Sequence, residues 1–145
     1  MKAIITSLLI LVILLAGKAE QSRREKRWIA IYEFSRMIKC TTHRSPLSYN
    51  RYGCWCGRGG SGKIVDATDR CCYEHDMCYK SLVNSGTCGG GAWWWTNYKR
   101  SGCNGCSLSN SGCGAELCYC DQTAARCFSR ASFNTAYENY DKGKC

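Results

Sequence analysis

A mainly α-helical, disulfide-rich fold follows from three features of the sequence. Fourteen cysteines, all between Cys40 and Cys145, form an even and dense set, the mark of a small scaffold cross-linked in an oxidising compartment. Two pairs of them repeat one spacing: Cys71 and Cys78 are seven residues apart, and so are Cys120 and Cys127, which is two helical turns on one face. The segments carrying these pairs lack helix breakers: Tyr73–Leu82 has no Gly or Pro, and Cys118–Ala131 holds three alanines. Two long antiparallel helices, stapled Cys71 to Cys127 and Cys78 to Cys120, satisfy all three. An N-terminal helix, a glycine-rich loop and a small β-wing complete the expected architecture.

Taken from the N-terminus, Met1-Lys2 precedes a run of uncharged residues from Ala3 to Ala16. That length suits the apolar segment of a signal peptide and falls short of the ~20 residues needed to span a bilayer. Small residues at Ala16, Gly17 and Ala19 place cleavage there, so residues 1–19 read as a signal peptide and the protein as secreted. Residues 20–27 are polar and end in Lys26-Arg27, a propeptide with a dibasic processing site. Residues 28–145 then form one domain of 118 residues, with 14 basic and 9 acidic side chains and a net charge of +5 instead of the whole chain's +9. A dispersed charge of that size suits solubility and anionic lipid surfaces and does not argue for nucleic acid.

Within the domain, Ile31, Phe34 and Ile38 recur at i, i+3, i+7 with Met37 beside them, predicting an amphipathic helix over about Ala30–Cys40. Thr41–Arg51 holds the only proline, Pro46, and reads as loop or a short helix. Gly57–Gly62 is a loop by composition. The long helices are expected over about Asp66–Leu82 and Ala115–Ser132. Between them, glycines flank the run Trp93-Trp94-Trp95, which predicts a small exposed hairpin. The tail to Cys145 reads as coil held by a bridge.

The chemistry concentrates in Tyr52-Gly53-Cys54-Trp55-Cys56-Gly57-Arg58-Gly59-Gly60-Ser61-Gly62 and in Asp69-Arg70-Cys71-Cys72-Tyr73-Glu74-His75-Asp76-Met77-Cys78-Tyr79. A glycine-rich loop can aim several backbone carbonyls at one point, and a nearby carboxylate completes an oxygen cage for calcium. A histidine beside that carboxylate supplies a base next to a hard cation, a combination suited to ester hydrolysis. Zinc is disfavoured, because Cys103-x2-Cys106 has no partner pair. His43 reads as structural. Asp66 and Asp69 read as structural carboxylates at a helix start, where they favour the dipole.

These two runs resemble the signature of the secreted, calcium-dependent phospholipases A2 of the group I type. Tyr32–Cys40 is similar to that family's first helix, and Cys118-Tyr119-Cys120-Asp121-Gln122-Thr123-Ala124-Ala125-Arg126-Cys127-Phe128 is similar to its second active-site motif. Met77 stands where group II members carry a cysteine. The resemblance implies the pairs Cys40–Cys103, Cys54–Cys145, Cys56–Cys72, Cys71–Cys127, Cys78–Cys120, Cys88–Cys113 and Cys106–Cys118. It implies His75 as general base, Asp121 as the residue orienting it, and Tyr79 as a support for Asp121. It further implies a calcium-binding loop in which the carbonyls of Trp55, Gly57 and Gly59 join the Asp76 carboxylate. Ile31, Phe34 and Ile38 would line the acyl-chain channel. The implied activity is Ca2+-dependent hydrolysis of the sn-2 ester of glycerophospholipids at a membrane surface by a monomer. The alternative is a non-catalytic membrane- or receptor-binding toxin on the same scaffold. Such variants lose the equivalent of His75 or Asp76, and both are present here.

The sequence departs from the family pattern in places. Trp55 replaces the usual tyrosine, and Ile64 stands where proline is common. The Cys103–Cys106 stretch is shortened. A tyrosine of this region often supports the catalytic aspartate, but Tyr98 is out of register, which leaves its role open. Three adjacent tryptophans cannot all face one small core, so at least one should point outward. With Lys99 and Arg100 close behind, they are candidates for membrane contact. The dibasic site carries the first expected outcome. Mass spectrometry of the secreted protein should find a chain beginning after Arg27, and a mature chain beginning at Gln21 would rule out cleavage there.

Overall fold

The computed structural model describes residue 7, residues 9–18 and residues 29–145. Residues 9–18 are helical and exposed. Residues 20–27, expected as a propeptide, lie outside the described residues, as do Trp28 and residues 1–6, 8 and 19 of the expected signal peptide.

The domain opens with α1, Ile29–Thr42, and continues through a 3-10 turn, Pro46–Tyr49, into the glycine-rich loop. The second helix, α2, spans Ala67–Asn84; a short helical turn, α3, spans Ala92–Trp95. Strands β1 (Arg100–Ser101) and β2 (Gly105–Cys106) pair antiparallel, Arg100 opposite Cys106. The last helix, α4, is Gly112–Arg130, followed by 3-10 turns at Thr135–Tyr137 and Lys142–Lys144. The expected coil tail therefore carries two turns. Asp66 starts α2 by accepting the Asp69 N–H at 2.8 Å, which satisfies one of the helix's first free donors.

Bridges Cys71–Cys127 and Cys78–Cys120 join the start of α2 to the end of α4 and the middle of α2 to the middle of α4. That order makes the two helices antiparallel. The other five pairs are Cys40–Cys103, Cys54–Cys145, Cys56–Cys72, Cys88–Cys113 and Cys106–Cys118, and no described cysteine is free. Helix α1 lies across α4 and divides the core in two. Met37, wholly buried, packs with Leu117, Ala125 and Tyr98; its neighbour Ile38 packs with Tyr49, Tyr52 and Phe128. The apolar stripe expected on α1 thus serves two clusters, because adjacent positions on a helix point ~100° apart.

The wing corrects one expectation. The tryptophans are not in the hairpin. They form α3, and the strands follow at residues 100–106. Gly91 supplies the left-handed residue, φ 74°, that opens this turn. A main-chain bond from Thr96 N–H to Ala92 O, 2.7 Å, closes it. Cys40–Cys103 holds the hairpin to α1. Beside it, Arg100 Nε donates to Glu33 Oε2 on α1 at 3.1 Å, and Arg100 also donates to the carbonyls of Gly102 and Cys103.

Candidate active site

At the centre of the site is a carboxylate with no exposure to solvent. Asp121 Oδ1 accepts from His75 Nε2 and from the Tyr79 hydroxyl, each at 2.7 Å, and Oδ2 accepts from the Tyr98 hydroxyl at 2.5 Å. His75 and Tyr79 lie one turn apart on α2, Asp121 faces them from α4, and Tyr98 enters from the segment between α3 and β1. Burial and the neighbouring Asp121 charge push both tyrosine hydroxyls far above their ordinary range. They therefore remain protonated donors over the whole working pH range. Tyr98 is the site residue that the family register left open. It is the only tyrosine between Cys88 and Cys103, and a fully buried carboxylate needs donors on both oxygens. That accounting was the available signal.

The imidazole is gripped on both sides. Phe34 stacks on it at 4.5 Å with 19° between the planes, and Tyr79 lies against it at 4.4 Å. With Nε2 committed to Asp121, Nδ1 is the nitrogen left for a water, the tautomer that a buried carboxylate partner enforces. The ring borders a cavity of about 570 Å³ that also reaches Asp76, Gly57, Gly59, Ile31 and Trp93. A second cavity of about 250 Å³ shares Phe34, Ile31, His75 and Asp76 with it and extends to Ile38 and Phe128. Ile31, Phe34 and Ile38 are therefore all on cavity walls, with Ile38 also in the core.

Asp76 is half-buried on α2 beside His75 and, among the described residues, has no hydrogen bond or ion pair. Burial raises its carboxyl above the ordinary range, against the pull of His75 and Lys142. The loop opposite fits a cation. Gly57 and Gly59 have φ of 92° and 78°, left-handed values that favour glycine. A Cβ on Gly60 would lie 2.6 Å from the Trp55 carbonyl oxygen. Among the described residues no group of three or more His, Cys, Asp or Glu side chains is placed to hold a metal. A cage of main-chain carbonyls around one carboxylate suits calcium, which takes many oxygens, and not zinc. Asp69 braces the loop from within: wholly buried, it accepts the Trp55 N–H at 2.7 Å and the Val65 N–H at 3.0 Å.

A histidine held by a buried carboxylate, with a second carboxylate and a glycine loop beside it on one apolar cavity, has the parts that a water-activating hydrolytic centre needs. Comparison with known proteins agrees. A family model described as phospholipase A2 matches residues 31–138. A phospholipase A2 of Bos taurus is 41% identical over 145 residues, covering 95% of this chain and 99% of its own. A phospholipase A2 of Adamsia palliata, named as a hormotoxin, is 47% identical over 118 residues, 79% of this chain and 75% of its own. A basic phospholipase A2 of Micrurus corallinus is 40% identical over 121 residues, 82% and 83% of the two chains. The chain belongs to the phospholipase A2 family.

Two outcomes follow from the site's geometry. Tyr98→Phe should lower stability by about 1–3 kcal/mol, because it strips Oδ2 of its only donor among the described residues. Tyr79→Phe should cost less, since Oδ1 keeps His75; thermal unfolding of the two variants in chelator gives the order. For Asp76 the sign runs the other way. Its folded-state pKa is raised, so folding penalises the ionised form. Calcium-free stability falls as pH rises through the carboxyl's titration and stays low above it. Asp76→Asn should raise Tm modestly in chelator at neutral pH and abolish the Tm rise on adding calcium.

Proposed function

We propose that this chain is a secreted, calcium-dependent phospholipase A2 that works as a monomer at phospholipid surfaces and cleaves the sn-2 ester of glycerophospholipids. The observation that carries the reading is the His75–Asp121 pair opening on the same cavity as Asp76 and the glycine loop. His75 Nδ1 takes a proton from a water as that water's oxygen attacks the sn-2 carbonyl carbon. Asp121 holds the ring and stabilises the imidazolium. The bond from the carbonyl carbon to the glycerol oxygen then breaks, and the His75 proton goes to that oxygen. Fatty acid and lysophospholipid leave. Bound calcium supplies positive charge for the substrate's carbonyl oxygen. The residues that would hold it are Asp76 and the carbonyls of Trp55, Gly57 and Gly59, and the Gly57 N–H supplies a further donor for the developing oxyanion. Seven disulfides suit an oxidising, extracellular setting.

The tryptophan turn supports membrane docking. Trp93 lines the catalytic cavity and lies 6.2 Å from Tyr79 with 29° between the rings; Trp94 lines it too. Trp94 is 38% exposed, Trp95 64% and Ile31 39%. The turn therefore stands at the channel mouth, beside Arg58 and Lys80, where interfacial aromatics and cations favour a lipid surface.

Fatty-acid release from phospholipid vesicles should require calcium, stop with chelator and be poorly restored by magnesium. His75→Gln should keep calcium binding and lose turnover; substantial hydrolysis by that purified variant would remove His75 as base. For the membrane face, Trp95→Ala should reduce vesicle partitioning while sparing a monomeric short-chain substrate. Unchanged partitioning in a folded variant with Trp93, Trp94 and Trp95 all replaced by Ala would refute the anchor.

A further inference from the structure

The C-terminal turn reaches back to the glycine loop through one side chain. Lys142, partly buried, donates from Nζ to the carbonyl oxygen of Cys54 at 2.9 Å and to that of Cys56 at 3.4 Å. The turn that carries it is fixed on both sides. Asp141 caps it by accepting the Gly143 N–H at 2.9 Å. Cys145 is bonded to Cys54, and the Cys145 carbonyl sits so close to Gly62 that a Cβ there would collide with it. The ammonium is therefore held against the loop by its neighbours and does not depend on a flexible tail.

The two carbonyls it engages alternate along the chain with those of Trp55 and Gly57, which the proposed function gives to calcium. Cys54 O also accepts the Ser61 N–H at 3.3 Å, so the same oxygen ties the start of the loop to its end. The peptide between Cys54 and Trp55 is fixed at both ends of its plane, its carbonyl by Lys142 and its N–H by Asp69. Four of the six residues from Gly57 to Gly62 are glycine, the residue with most backbone freedom to lose on ordering. A cation that had to order this loop itself would bind weakly.

We propose that Lys142 is a positioning residue for the calcium loop: it clamps the alternate carbonyls of Cys54 and Cys56 and so holds Trp55, Gly57 and Gly59 in ligating geometry before calcium arrives. The inference rests on the calcium reading above. The ammonium's own charge opposes an incoming cation, so the clamp is best read at high ionic strength, where through-space repulsion is screened.

The test uses the mature chain, with Lys142→Met, Lys142→Arg and, as a control, Lys144→Met, which lies on the same turn and whose side chain has no hydrogen bond to the loop among the described residues. Calcium affinity is measured by calorimetry in about 0.5 M KCl, and amide exchange over residues 54–61 is followed in chelator. Lys142→Met should weaken calcium about tenfold, equivalent to ~1.4 kcal/mol, and speed loop exchange in the calcium-free protein. Lys142→Arg should recover most of both, and Lys144→Met should change neither. Unchanged or tighter calcium binding, unchanged loop exchange, or an equal effect of Lys144→Met would each overturn the clamp. Should Lys142→Met fail to form its disulfides, Lys142→Gln carries the same two readings. Wild-type protein that binds no calcium would instead overturn the calcium reading itself.

Discussion

The structure turns on one buried carboxylate. Asp121 has no solvent contact and no arginine or lysine partner among the described residues, and is held by His75, Tyr79 and Tyr98. Burying such a group is tolerable only when its oxygens are satisfied. Satisfying them requires α2 to lie against α4 at a fixed register and the segment after α3 to fold down onto both. The catalytic geometry and the packing of three elements are thus the same requirement. Two disulfides hold that register covalently: Cys78–Cys120, next in sequence to Tyr79 and Asp121, and Cys71–Cys127, about two turns away on the same helices.

Around this centre the polar and covalent contacts divide the work. Asp69, buried within the loop's base, fixes two of its N–H groups. Asp76, about two turns further along α2, has no hydrogen-bond or ion-pair partner among the described residues. The two carboxylates on one helix differ in this respect: among the described residues the first has its donors and the second has none, which is what the calcium proposal draws on. The wing serves a different purpose. Cys40–Cys103 and the Glu33–Arg100 pair hold it to α1. The tryptophan turn is thereby carried to the cavity mouth, and Tyr98 is carried to Asp121.

Much of this was legible in the amino-acid sequence, for local reasons. A seven-residue cysteine spacing on breaker-free segments specifies a helix face, so the two staples and the antiparallel helices could be read directly. A glycine-rich loop ahead of His75-Asp76 led to the expectation of a carbonyl cage with an adjacent base, and the structure brings Gly57, Gly59, His75 and Asp76 to one cavity. The segments that the sequence misassigned or left open are those whose state depends on distant partners. Glycines beside Trp93–Trp95 are as compatible with a helical turn as with a hairpin, and the hairpin lies at residues 100–106. Tyr98 has no periodicity that ties it to Asp121, 23 residues away. Lys142 meets Cys54 across 88 residues, a contact created only when the Cys54–Cys145 bridge folds the tail onto the loop. By itself, the sequence determined which chemistry was available and which helices could carry it, because those depend on residue type and short spacing. The tertiary structure decided which hydroxyls reach the buried aspartate, where the tryptophans stand and what braces the loop, because those depend on side chains brought together from far apart in the chain.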